Sequence, residues 1–107
     1  MPAQELAEKE FEEKIINSSH ITILDFWNDG CGPCIALSEE LEKVSRERSD
    51  VLIYKANVEK ENELAGRLGV MAAPTLFFFR NGQIKKKTIG FKSLKSILEI
   101  LDNIDEE

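Results

Sequence analysis

The sequence has few of the residues that cross-link small domains. It contains two cysteines and one histidine among 107 residues. A structural zinc ion usually takes four Cys or His ligands, so a zinc site within this chain would need Asp or Glu to complete it. Two cysteines are also too few for a disulfide-dense scaffold. With six glycines and three prolines, the chain is neither collagen-like nor of low complexity.

Long apolar runs are absent as well. The longest, Leu76–Phe79, fits a buried strand, whereas a membrane helix needs roughly 20 apolar residues. The N-terminus has neither the basic region nor the apolar region of a secretory signal, so we expect a cytoplasmic protein with no membrane association. Hydrophobic residues make up 42% of the chain. That is enough for the core of one domain, which we expect to span residues 1–107.

Charge is unevenly distributed along the chain. The net charge of −6 argues against general nucleic-acid binding. Residues 80–95 nevertheless carry six basic side chains and no acidic one. This segment is either ordinary solvated surface or a surface that steers an acidic partner.

Hydrophobic periodicity predicts four helices and four strands. The helices are predicted at 8–17, 32–48, 60–68 and 93–104, and the strands at 21–27, 51–58, 75–79 and 83–89. Alternating strands and helices predict parallel pairing, whereas Asn81-Gly82 predicts an antiparallel hairpin between the last two strands. The fold class is therefore α/β, a three-layer α/β/α sandwich with a mixed central sheet. That sheet has four strands, or five if residues 3–7 form an edge strand instead of beginning the first helix.

Both cysteines lie where a buried strand turns into a helix, in Gly30-Cys31-Gly32-Pro33-Cys34. A Cys-x-x-Cys pair in a βαβ pattern is typical of a redox pair. The helix N-terminus favours a thiolate at Cys31, and Cys34 lies one turn further in. Pro33 suits a first helical turn. The alternatives are a zinc site, two inert cysteines, or a Cys–His nucleophile with His20, which is badly placed by sequence for that role.

Asp25 and Pro74 stand out from their surroundings. Asp25 interrupts an apolar strand, where it is either a strand-end carboxylate reaching solvent or a buried acid with a raised pKa. A buried acid here can accept the proton of Cys34. Lys55, in the neighbouring strand, is a candidate partner for Asp25. Pro74 opens a strand, and its own residue type does not decide between a trans and a cis bond.

These motifs together resemble the thioredoxin family. Leu24-Asp25-Phe26-Trp27 and Cys31-Gly32-Pro33-Cys34 are similar to its active-site signature. Gly69-Val70, Ala73-Pro74-Thr75, Phe78, Asn81-Gly82 and Gly90 follow in the family's order, and the likeness covers about residues 8–104. The resemblance implies a thioredoxin fold and a disulfide reductase that uses the Cys31–Cys34 disulfide and no bound cofactor or metal. It implies a monomer whose partners are a thioredoxin reductase or an equivalent electron donor, and disulfide-containing target proteins.

The resemblance also implies a role for individual residues. Cys31 corresponds to the attacking thiol and Cys34 to the resolving thiol, with Asp25 as the buried acid and Lys55 as its neighbour. Pro74 corresponds to a cis proline beside the disulfide. The implied substrate-binding residues are Gly30, Gly32, Pro33, Ala73, Pro74, Gly90 and Phe91.

The chain departs from the family's pattern at the rim of the site. Gly30 stands where the family often has Trp, Ala73 where it usually has Ile or Val, and Phe91 where it often has a small residue. These departures favour selective recognition. Besides a general reductant, the alternatives are a thioredoxin dedicated to one pathway, a binding module with incidental redox activity, and an oxidant or isomerase.

Overall fold

A five-stranded sheet is the centre of the computed structural model, which describes residues 3–107. Its strands are β1 (Gln4–Glu5), β2 (Thr22–Trp27), β3 (Leu52–Asn57), β4 (Thr75–Arg80) and β5 (Gln83–Ile89). They lie in the order β1-β3-β2-β4-β5. The first three pair in parallel, and β4 and β5 are antiparallel to their neighbours. The predicted mixed sheet is confirmed, and residues 4–5 form its fifth, edge strand.

Helical layers cover both faces of this sheet. The helices are α1 (Gly32–Glu47), α2 (Asn62–Arg67) and α3 (Leu94–Asp105). Leu37 of α1 and Ile97 of α3 pack with Ile23 of β2 on one face. Leu64 of α2 packs with Phe26 on the other. Because β2 is covered on both sides, its sequence is almost continuously apolar, as predicted.

The predicted α-helix over residues 8–17 is wrong in type. A 3₁₀ turn over Glu8–Glu10 is followed by a π-helical segment over Glu12–Ile16. The amide of Asn17 donates to the carbonyl of Glu12, 2.9 Å away, which is the i to i+5 spacing of a π turn. We call residues 8–16 the N-terminal helical segment. Its short, irregular turns still place Phe11 and Ile15 in the core.

The predicted hairpin between β4 and β5 is confirmed. Asn81 and Gly82 have φ values of +52° and +74°, which suits a tight two-residue turn. A Cβ atom on Gly82 would lie 2.5 Å from the carbonyl oxygen of Ile16. The turn is therefore packed against the end of the N-terminal helical segment, and only glycine fits there.

Within residues 3–107, no helix is both long enough and apolar enough to cross a membrane.

Candidate active site

The two cysteines meet at the N-terminus of α1. They form a disulfide with Cα atoms 5.2 Å apart. Cys31 caps the helix, and its Sγ accepts a hydrogen bond from the backbone N–H of Cys34 over 3.2 Å. Pro33 lies in the first turn, where its missing N–H leaves no helix hydrogen bond unmade. The predicted position of the pair is therefore confirmed.

The two sulfurs differ in exposure and in electrostatic surroundings. Cys31 is half-buried, whereas Cys34 is 5% exposed. Free amides and the helix dipole at this terminus stabilise negative charge on the capping sulfur. The first turn of α1 contains no acidic residue that would oppose this effect. The arrangement can therefore stabilise a thiolate at Cys31 that partners can reach.

A cis peptide bond joins Ala73 to Pro74 beside the disulfide, as the resemblance implies. The Sγ of Cys31 lies 3.8 Å from the carbonyl oxygen of Ala73. The backbone N–H of Gly90 donates to the carbonyl of Pro74 over 2.8 Å. These contacts bring the 73–74 loop, Gly90 and Cys31 to one edge of the molecule, although they are far apart in sequence.

Asp25 is completely buried, so the solvent-exposed alternative is wrong. Neither of its carboxyl oxygens has a hydrogen-bond partner among residues 3–107. The pKa of Asp25 is raised from 3.8 to about 7, and burial is the largest cause. The Lys55 ammonium opposes this rise, whereas the Glu5 carboxylate adds to it. Asp25 lies two residues after Ile23 in β2, so both side chains are on the same face of the sheet, and this face packs against α1. It therefore lies beneath the first turn of that helix, on the side of Cys34.

Lys55 lies next to Asp25 in strand register, as predicted, but forms no direct ion pair with it. Asp25 pairs with Lys55 across β2 and β3, so both side chains lie on the same face. The described part of the chain has no salt bridge involving Lys55. Its Nζ instead lies 5.5 Å from the centre of the Trp27 ring. Stacking on this ring holds the ammonium at the cleft that both residues line.

A cleft of about 280 Å³ opens beside the disulfide. Sequence reasoning selected Gly30, both cysteines and Lys55 from its lining but missed Trp27 and Ser38. Ser38 lies four residues after Cys34, on the same side of α1, so helical spacing was the signal that could have identified it. Glu5 was also missed, because its closeness to Lys55 depends on the pairing of β1 with β3.

Two of the departures from the family's pattern, Gly30 and Phe91, have distinct structural settings. Gly30 has a φ of +67°, which strains any other residue. Its small size therefore reflects backbone geometry as well as a smaller contact surface. Phe91 is 47% exposed, beside Ile89 at 60%. Ile35, which lines the cleft, is exposed, and so is Met71, two residues before Ala73.

His20 is exposed, and within residues 3–107 no three His, Cys, Asp or Glu side chains cluster closely enough to hold an ion.

Comparison with known proteins gives matches over nearly the whole chain. The thioredoxin family model matches residues 2–103. A thioredoxin of Rickettsia bellii is 30% identical over 102 residues, which cover 94% of this chain and 97% of the relative. A thioredoxin of Bacillus subtilis is 35% identical over 86 residues, or 79% and 83% of the two chains. The crystal structure of a chloroplastic thioredoxin z superposes with a TM-score of 0.91 at 26% identity, covering 100% of this chain and 97% of the other.

Proposed function

The chain belongs to the thioredoxin family, and from that premise we propose how its residues reduce the disulfides of other proteins. It is a thiol–disulfide oxidoreductase that works by dithiol–disulfide exchange. The observation that carries the assignment of roles is the unequal exposure of the two sulfurs at one helix N-terminus. A partner disulfide can reach Cys31, whereas Cys34 is shielded by the first turn.

In the first step the thiolate of Cys31 attacks one sulfur of a substrate disulfide. The substrate's S–S bond breaks, a mixed disulfide with Cys31 forms, and the other substrate sulfur leaves as a thiolate. Cys34 then loses its proton and attacks Sγ of Cys31. This step forms the Cys31–Cys34 disulfide and releases the second substrate thiol. Two electrons have moved from the protein to the substrate, and an electron donor must return them.

Asp25 is the proton acceptor for Cys34 in the second step. It is buried on the side of Cys34 and makes no hydrogen bond that would occupy its oxygens. With a pKa of about 7, it is partly ionised near neutral pH and can take a proton at little energetic cost. At the mouth of the cleft, the Trp27 ring positions the Lys55 ammonium. This ammonium favours the ionised form of Asp25.

Substrates dock on the apolar rim around the disulfide. The backbone of Ala73 faces Cys31 and can align an extended substrate segment beside the attacking sulfur. Gly30, Gly32, Pro33, Pro74, Gly90 and Phe91 are the other residues that we propose contact the substrate. The partners are a thioredoxin reductase or equivalent donor and disulfide-containing proteins. The protein acts as a monomeric single domain in the cytoplasm.

A role restricted to one pathway is the second candidate. It is favoured by Phe91, whose exposed ring adds area only for partners shaped to meet it. A general reductant would recognise many surfaces and would gain less from one protruding aromatic side chain.

The mechanism is tested with two cysteine variants and two electron donors. Cys34→Ser should accumulate a mixed disulfide through Cys31, whereas Cys31→Ser should accumulate little. In the reduced protein iodoacetamide should label Cys31 first; faster labelling of Cys34 overturns the assignment. Insulin reduction with dithiothreitol tests the chemistry, and the same assay with a thioredoxin reductase and its reductant tests the partner.

A further inference from the structure

The basic segment of residues 80–95 faces the solvent beside the active site. Its central part is β5, which is the outermost strand of the sheet beyond β4. A groove of about 500 Å³ runs between the free edge of β5 and α3. Its lining residues are Lys86, Lys87, Thr88, Ile89, Lys92, Ser96, Glu99, Ile100 and Asn103. We call this the β5 groove.

From these features we infer that the β5 groove binds an extended, acidic segment of the substrate protein, which adds a strand to the free edge of β5. This inference rests on the proposed function, since it concerns the proteins whose disulfides reach Cys31. Four observations carry it: the direction of the free backbone groups, the unpaired positive charge, an unpaired threonine hydroxyl and the distance to the cysteines.

The backbone of β5 is free to pair on its outer side. The N–H of Gly90 points inward, because it donates to the carbonyl of Pro74. Backbone groups alternate in direction along a strand, so the N–H and C=O of Ile89 and Lys87 point away from β4. Both residues line the groove. An added strand would therefore find donors and acceptors in register.

The groove carries a net positive charge. Lys85, which lies outside the lining, is paired with Glu107 over 3.2 Å. Lys86 and Lys92, nearer the cysteines, have no ion pair within residues 3–107 and can attract carboxylates. Glu99 is the one acidic side chain in the lining. Lys87, the third lysine of the lining, donates to the carbonyl oxygen of Gly69 over 3.3 Å. Three lysines against one glutamate leave the groove positive in a chain whose net charge is −6.

The lining also contains an unsatisfied polar atom. Thr88 is 7% exposed, and its hydroxyl has no hydrogen-bond partner among residues 3–107. Such a group is destabilising when left unpaired. A substrate carboxylate or carbonyl oxygen that enters beside it can accept a hydrogen bond from this hydroxyl.

Distance sets where the acidic residues must lie in the substrate. Gly90 sits beside the 73–74 loop and therefore beside Cys31. Lys86 is four residues earlier, or about 14 Å at roughly 3.4 Å per residue. An extended substrate covers this distance in about four residues. Acidic residues some four to six positions from the substrate cysteine should therefore meet Lys86. Lys92 lines the same groove and adds to its positive charge.

The test uses two disulfide-linked peptide dimers that differ only in charge. One carries Glu at the fourth and sixth positions on each side of its cysteine, and the other carries Gln. Prereduced protein is mixed with each dimer, and the second-order rate of thiol release is measured. At low salt the acidic dimer should react about five- to tenfold faster. At 1 M salt, where the Debye length is about 3 Å, the rates should agree within about twofold.

Variants of the groove identify the surface responsible. Lys86→Gln/Lys92→Gln should reduce the ratio of acidic to neutral rates to about two. Lys9→Gln/Arg46→Gln is the matched control, since it removes the same charge from two exposed positions outside the groove. Its ratio should stay at the wild-type value. An equal fall in both variants means that net charge alone acts, which overturns the groove.

Backbone pairing needs its own measurement. N-methylation of alternate residues in the acidic dimer removes one set of donors, and shifting the methyl groups by one residue removes the other set. One of the two peptides should react several-fold more slowly; equal rates for both and for the unmodified dimer overturn strand addition. Reduction of the uncharged hydroxyethyl disulfide separates the two hypotheses. Failure there refutes the proposed function, whereas reduction without preference for the acidic dimer refutes only the groove.

Discussion

Replacing Asp25 with Asn is expected to change how stability depends on pH. Burial raises the pKa of Asp25 from 3.8 to about 7 in the folded protein. The unfolded chain releases this proton near its ordinary value of 3.8, whereas the folded chain holds it until about pH 7. Between these pH values the folded state binds more protons than the unfolded state. The free energy of unfolding therefore falls as the pH rises through this interval.

The size of the effect follows from the width of the interval. Each pH unit contributes about 1.4 kcal/mol, so a difference of about three units gives a loss of roughly 4 kcal/mol. Above about pH 7 both states are ionised and the loss is constant. Asn carries no charge at any pH. Asp25→Asn should therefore be more stable than the wild type by roughly 4 kcal/mol at about pH 8, and similar to it at about pH 4.

Guanidinium unfolding at a series of pH values, with the disulfide intact, measures this difference. Trp27 is the only tryptophan and provides the fluorescence signal. Asp29→Asn is the matched control, because Asp29 is exposed on the turn beside the same site. Its stability should follow the wild-type pH dependence. If Asp25→Asn and the wild type give parallel curves between about pH 4 and about pH 8, the buried carboxyl is not held protonated and the reasoning fails.

Three further changes test the charge, the rim and the hairpin. Glu5→Gln should lower the pKa of Asp25, because the Glu5 carboxylate raises it; a titration of the Asp25 carboxyl carbon by NMR that shows no decrease contradicts this. Phe91→Ala should reduce kcat/KM for reductase about fivefold, through loss of apolar contact area, and equal steady-state values would remove Phe91 from the docking surface. Gly82→Ala should destabilise the protein by about 1–2 kcal/mol, since it forces a positive φ and a clash with the carbonyl of Ile16; unfolding curves that coincide with the wild type would show that the turn relaxes freely.

Local signals in the sequence were sufficient for most of the fold. The apolar run of β2 requires cover on both faces, and α1 and α2 provide it. Asn81-Gly82 combines two residues that tolerate positive φ, so it specifies the hairpin by itself. The Cys31–Cys34 pair lies at a strand-to-helix junction that the periodicity already located. Each of these features depends on residues close together in the chain.

Features that depend on tertiary contacts could not be predicted in the same way. The N-terminal helical segment is short and must still bury both Phe11 and Ile15 against the sheet, which its 3₁₀ and π turns achieve. The spacing of apolar residues in the sequence does not distinguish these turns from an α-helix. The position of the Lys55 ammonium depends on the ring of Trp27, two rungs of the sheet away from the register pair with Asp25. Which of these neighbours a long side chain contacts is determined only once the sheet has formed.

The edge strand β1 connects the least predictable part of the fold to the chemistry. Gln4 and Glu5 are polar and have no strand signal of their own, so the pairing comes from Tyr54 and Lys55 of β3. This register aligns Glu5, Lys55 and Asp25 across three strands, from the solvent-exposed edge to the buried centre. Coulomb interactions along the row oppose each other, because Lys55 lowers the pKa of Asp25 and Glu5 raises it. Burial keeps the carboxyl protonated to about pH 7, and the row adjusts that value. The proton acceptor proposed for Cys34 is therefore tuned by a strand of two residues that no local pattern in the sequence predicts.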